Sequence, residues 1–116
     1  MSDSLNQLAA RLKDFAQARD WGQFHSPKNL ASALMVEAGE LLEHFQWLTE
    51  DQSRNLGKDT REAVALEMAD VLLYLVQMSN VLGVDLVDAA QRKIDLNARK
   101  YPVEQAKGHS KKSGQF

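Results

Sequence analysis

Apolar residues recur along this chain at spacings of three and four, the period of a helix, with no sustained alternation of the kind a strand requires. Leu5, Leu8, Leu12 and Phe15 form one stripe and predict a first helix over residues 4–20. Residues 21–26 read as a connector. Ser26 is the predicted N-cap of a second helix and Pro27 its first residue, where a missing N–H costs nothing. That helix is expected to run to about Leu48. Residues 49–60 are polar and irregular, with a short helical turn expected over 51–56. Asp59 or Thr60 is the expected cap of a third long helix, ending near Leu82 ahead of Gly83. Asp85 is the predicted cap of a last helix, which stops before Pro102 because the residue preceding a proline avoids helical dihedrals.

The fold class is therefore all-α, with a single helical domain over 1–102. The tail, 103–116, is rich in Lys, Ser and Gly and is predicted to be disordered. The second and third helices are apolar on more than one side, through Leu41, Leu42, Phe45 and Leu48 and through Leu66, Val71, Leu72, Leu73, Leu75 and Val76. Helices of that kind need partners on several sides. A four-helix bundle whose helices also pack across an oligomer interface meets the need, so a homo-oligomer is expected.

Against this apolar background stand two acidic couplets, Glu37-Ala-Gly-Glu40 and Glu67-Met-Ala-Asp70. Each puts two carboxylates at i and i+3 on one helix face. Carboxylates are seldom buried unless paired or bound to metal, and no basic residue lies near either couplet in sequence. If the two helices are neighbours, four carboxylates converge and call for a hard cation, Mg2+ with Mn2+ as a substitute. A ferritin-like di-iron site would need Glu-x-x-His on two helices; His44 follows Glu40 by four and the third helix has no histidine. Each stripe also carries an aromatic residue, Trp47 seven after Glu40 and Tyr74 four after Asp70. Gly39, between the glutamates, costs up to about 1 kcal/mol relative to alanine in a helix, and close approach of a backbone or a ligand is the expected compensation.

Composition narrows the function classes. The 116 residues carry a net charge of -2 and no cysteine. There is no global basic field for nucleic acid, and no disulfide framework or thiolate metal site. The polar, amphipathic start lacks the apolar core of a signal peptide. The longest apolar run, 63–76, is interrupted by Glu67 and Asp70 and falls short of the ~18 residues of a membrane span. A cytoplasmic protein that binds neither membrane nor nucleic acid is expected.

The couplets, together with the segments RDWGQFHSPKNL, EAGELLEHFQW, EMADVLLYLV and KIDLNARKYP, resemble the MazG-like members of the all-α nucleoside triphosphate pyrophosphohydrolase superfamily, nearest its dCTP pyrophosphatase branch. The family signature, Glu-x-x-Glu followed by Glu-x-x-Asp, falls on Glu37, Glu40, Glu67 and Asp70. The resemblance implies a helical enzyme that uses Mg2+, held by these four acids, to cleave a nucleoside triphosphate between its α and β phosphates. It also implies a dimer, or a tetramer made of two dimers. Glu40, with Glu37 beside it, is the choice for the catalytic base.

Lys93, Asn97 and Lys100 resemble the family's phosphate-contacting segment. Trp21, Trp47 and Tyr74 are candidates for stacking on the base. His25 and Asn29 match the Phe-His-x-Pro-x-Asn-Leu segment and complete the substrate set. Relatives that prefer dCTP carry a histidine on the first helix. Here Leu12 stands at the equivalent position, so dCTP or a modified dCTP is a candidate substrate without that support. The competing expectation is a non-catalytic helical interaction module whose buried acids are paired across an interface.

Overall fold

The computed structural model describes residues 4–115 of the chain. Among them there are six α-helices and no strand: α1 (Leu5–Ala18), α2 (Pro27–Glu43), α3 (Glu50–Arg54), α4 (Lys58–Leu82), α5 (Leu86–Lys100) and α6 (Val103–Ala106), with a 3-10 turn at Trp21–Phe24. The all-α expectation holds, and most helix ends follow from local chemistry. Ser4 and Gln7 form a capping box at the start of α1. Ser26 Oγ accepts from the Asn29 N–H at 3.1 Å, with Pro27 opening α2. Gly83 ends α4 in the left-handed conformation at φ 67°, which glycine adopts without strain. Asp85 accepts from the Asp88 N–H and starts α5.

Two boundaries differ from expectation. α2 stops at Glu43 rather than near Leu48, and the chain tightens into successive turns around residues 44–48. The cause is a competing cap: Thr49 adopts an extended conformation and forms a reciprocal capping box with Gln52 to start α3. α4 begins at Lys58, with Gly57 as its cap, rather than at Asp59 or Thr60. Asp59 instead lies in the first turn, where the helix dipole favours an acid. Beyond Pro102, where an irregular tail was expected, α6 adds one helical turn.

The residues form two compact units, one ending at Val84 and one starting at Asp85. In the first, α4 is the central element, with α2 and α1 packed on it. Leu30 and Val76 are almost wholly sealed, with Ala16 and Val64 beside them in the core. Asn80 Nδ2 donates to the Ala9 carbonyl at 3.0 Å, tying α4 to α1. α4 has 25 residues and, contrary to the expectation from the shorter apolar run, is long and apolar enough to cross a membrane. α1 and α2 pack on it, two acids stand at its middle, and 17% of its apolar stretch is buried. The second unit holds α5, which carries an Asp88–Arg92 ion pair at 2.8 Å, and α6.

Much apolar surface on α2 and α4 stays open. Met35, Val36 and Leu42 on α2 and Leu66, Met68 and Leu72 on α4 are all exposed, Met35 by 73%. A β-carbon added at Gly39 would meet nothing within 4 Å, so no close approach inside the chain accounts for this glycine.

Ser26→Ala removes the α2 cap and is expected to lower stability by about 1 kcal/mol. Leu30→Ala empties a sealed core position and is expected to cost about 2–5 kcal/mol. Urea unfolding of both variants against the parent checks the order and the size.

Candidate metal centre and adjoining cavity

α2 and α4 each carry one acidic couplet, and their packing brings the couplets together. One carboxylate oxygen from each of Glu37, Glu67 and Asp70 lies within 4.8 Å of the other two. Glu40 is the fourth member, close enough to Glu37 and Glu67 to raise both of their carboxyls. Among the described residues no lysine or arginine forms an ion pair with any of the four; the salt bridges found join Arg54 to Glu50 and Asp51, and Arg92 to Asp88. Glu37 Oε2 and Glu67 Oε2 are buried without a hydrogen-bond partner.

The electrostatics follow from this crowding. The Glu37 carboxyl is pushed up to about 7, first by burial, then by its hydrogen bond with Glu40 and by the charges of Glu40, Asp70 and Glu67. Glu67 is also raised, by burial and by the Glu40 and Asp70 charges, with His44 opposing the shift. An all-oxygen donor set with two orphaned buried oxygens fits a hard divalent cation: the ion would satisfy those oxygens and offset the mutual repulsion.

Asp70 also lines a cavity of about 160 Å³. Tyr74, Leu73 and Gln77 of α4 form one wall and Leu12 and Phe15 of α1 another, with Trp21 and His25 closing it from the connector. The connector is turned by Asp20, which at φ 54° is the one non-glycine residue with positive φ among those described; aspartate tolerates that region better than most. Gln23 Nε2 donates to the Asp20 carbonyl at 3.1 Å and holds the turn. Trp21 is thereby folded edge-on to Phe15, with ring centroids 5.6 Å apart, and edge-on to His25 at 6.3 Å. Arg19 lies 3.5 Å from the centroid of the Phe15 ring and donates to the Phe15 carbonyl.

The remaining candidates lie elsewhere. Trp47 follows the early end of α2, is 87% exposed, and does not line the cavity. Asn29 spends its side-chain amide on the Phe24 carbonyl at 3.1 Å, securing the connector to α2. Lys93, Asn97 and Lys100 are exposed along α5 in the second unit. Phe15 and Gln77 were not singled out from the sequence. Phe15 read as a core stripe residue, and Gln77 sat unnoticed at i+7 from Asp70 and i+3 from Tyr74, a spacing that would have found it.

The fold and the site define a class: a helical protein with a four-carboxylate centre opening toward an aromatic cavity. The chain belongs to the MazG-like family, whose model matches residues 33–116. It is 46% identical over 101 residues to dCTP pyrophosphatase 1 of Homo sapiens, an overlap covering 85% of this chain and 59% of that protein. It is 44% identical over 97 residues to dCTP pyrophosphatase 1 of Bos taurus, covering 82% and 57%. The chain thus spans somewhat under three-fifths of the length of these relatives. The crystal structure of a pyrophosphatase from Archaeoglobus fulgidus superposes with a TM-score of 0.81 at 36% identity, covering 88% of this chain and 95% of that one.

The raised carboxyls set a pH dependence for the metal-free protein. Glu37 titrates at its ordinary value of 4.5 when unfolded and at about 7 when folded, so between those values the folded state holds more protons. Its contribution to stability is present below pH 4.5 and lost as the pH rises through about 7. In chelator, the melting temperature is expected to fall from pH 5 to pH 8, and Glu37→Gln is expected to flatten that slope. A wild-type slope unchanged by the substitution would rule out Glu37 as its source.

Proposed function

We propose that the protein is a Mg2+-dependent nucleoside triphosphate pyrophosphohydrolase that releases a nucleoside monophosphate and pyrophosphate. The observation that carries this reading is the shared Asp70, which belongs both to the carboxylate cluster and to the cavity wall. A triphosphate at the acids and a base in the cavity can then belong to one molecule. The names of the relatives, dCTP pyrophosphatase 1 and a pyrophosphatase, agree with it. They make dCTP or a modified dCTP the first substrates to try.

In this proposal Glu37, Glu40, Glu67 and Asp70 hold Mg2+, with Mn2+ as a substitute. When bound, the ion supplies positive charge for the phosphate oxygens and acidifies water. Glu40, outside the tight group of three, accepts the proton of the water that attacks the α-phosphorus, and Glu37 assists by holding the Glu40 carboxyl in place. Trp21 and Tyr74 offer ring faces to the base, with His25 at the edge of Trp21. Lys93, Asn97 and Lys100 are retained as phosphate contacts, and Asn29 and Trp47 as substrate contacts, on the strength of their sequence segments alone.

A second copy of the chain is proposed to cover the open apolar face of α2 and α4, as a dimer or a dimer of dimers. Removing that much apolar surface from water is strongly favourable at about 25 cal/mol per Å². The absence of cysteine and the acidic net charge accord with a cytoplasmic enzyme.

A panel of natural and modified nucleoside triphosphates with Mg2+ is expected to yield pyrophosphate and not single phosphate. Glu67→Gln and Asp70→Asn are expected to leave the protein folded and to lower turnover by at least about a hundredfold, the scale of losing one key electrostatic group. Intact turnover in both variants sinks the proposal. Sedimentation is expected to give a dimer or larger, shifted toward monomer by Leu66→Glu.

A further inference from the structure

One polar group in the cavity wall is unused by the chemistry proposed above. Gln77 is 8% exposed, slightly more than the apolar core, yet it carries a carboxamide. Among the described residues its side chain makes no hydrogen bond within the chain. Its amide atoms are also not among the orphaned atoms sealed from solvent, a group limited to Glu37 Oε2 and Glu67 Oε2. The small opening left to Gln77 therefore includes its amide, and the residue lines both this cavity and a neighbouring one formed with Lys13, Gln17, His25 and Asn80. An amide that no group in the chain satisfies, set in an otherwise apolar wall, is one that a bound ligand can pair with.

Position on α4 says which part of a ligand it would meet. Asp70, Tyr74 and Gln77 stand at i, i+4 and i+7 on one stripe. At about 1.5 Å of rise per residue, Gln77 lies about 10 Å beyond Asp70 along the axis. With the triphosphate at the acids, that is the far end of a nucleotide, past a base stacked on Tyr74. The α1 side of the cavity, Leu12 and Phe15, offers no hydrogen bond there.

We propose that Gln77 is the specificity-determining residue of the cavity: its carboxamide, a donor beside an acceptor, hydrogen-bonds the edge of the nucleobase. Glutamine pairs with base edges in this bidentate manner elsewhere. The proposal rests on the nucleotide reading above and assigns base selection to a residue that takes no part in hydrolysis.

The test uses wild type, Gln77→Met, which keeps the volume, and Gln77→Ala. Each is assayed for pyrophosphate release from the four dNTPs and, by calorimetry with Mg2+, for binding of their non-hydrolysable α,β-imido analogues. Loss of one such hydrogen bond is expected to weaken the preferred nucleotide about tenfold, mainly through KM, and to narrow the spread among the four. Melting curves identify any variant that fails to fold, and the other then carries the test. Unchanged order and spread in the folded variants overturns the proposal. Analogue binding that depends on Gln77, without turnover by wild type, refutes the hydrolase reading and keeps the role of Gln77. Failure of wild type to bind any analogue overturns both.

Discussion

Four carboxylates meeting between α2 and α4 are the constraint on which the rest of the structure depends. Two helices that bury like charges against each other work against their own association, because burial and repulsion both disfavour ionised acids. The raised Glu37 and Glu67 carboxyls are the direct mark of that conflict. What holds the helices together is apolar: Leu30, Val64 and Val76 are sealed within the same unit. The fold thus spends hydrophobic association on keeping acids close, an arrangement that makes chemical sense when something positive is to be gripped.

The connector answers a different need. A row of acids selects for charge but says little about the rest of a ligand. The left-handed Asp20, clasped by Gln23, swings Trp21 back onto Phe15 and sets His25 at its edge. Asn29 then ties the end of that connector to α2 through the Phe24 carbonyl. Two of the eight residues between the helices, Trp21 and His25, thereby become part of the wall of a cavity that reaches one of the acids.

What the sequence made legible was what short-range rules decide. Ser26, Gly83 and Asp85 mark helix ends because capping depends on a few adjacent residues. The acidic couplets could be read because i and i+3 share a helix face whatever the tertiary fold. The end of α2 could not be read by periodicity: Leu48 continues the apolar pattern, but the Thr49–Gln52 box takes the backbone out of it. Trp47 lost its place on the acidic stripe for that reason. The turn at Asp20 was hidden because a positive φ in a non-glycine residue leaves little trace in a single sequence. Gln77 was hidden because one amide in a long apolar run looks like a surface position until packing buries it.

Because one unbroken helix carries Asp70, Tyr74 and Gln77, the spacing between the charged end and the amide end is that of a rigid ruler. No hinge or loop lies between them to absorb a change at one end and pass it to the other. Divergence within such a scaffold has a natural coordinate. Exchanges a turn or two along α4 can retune what is admitted to the cavity while the acidic end stays as it is. A lineage built on this helix would be able to explore new ligands without first giving up its chemistry.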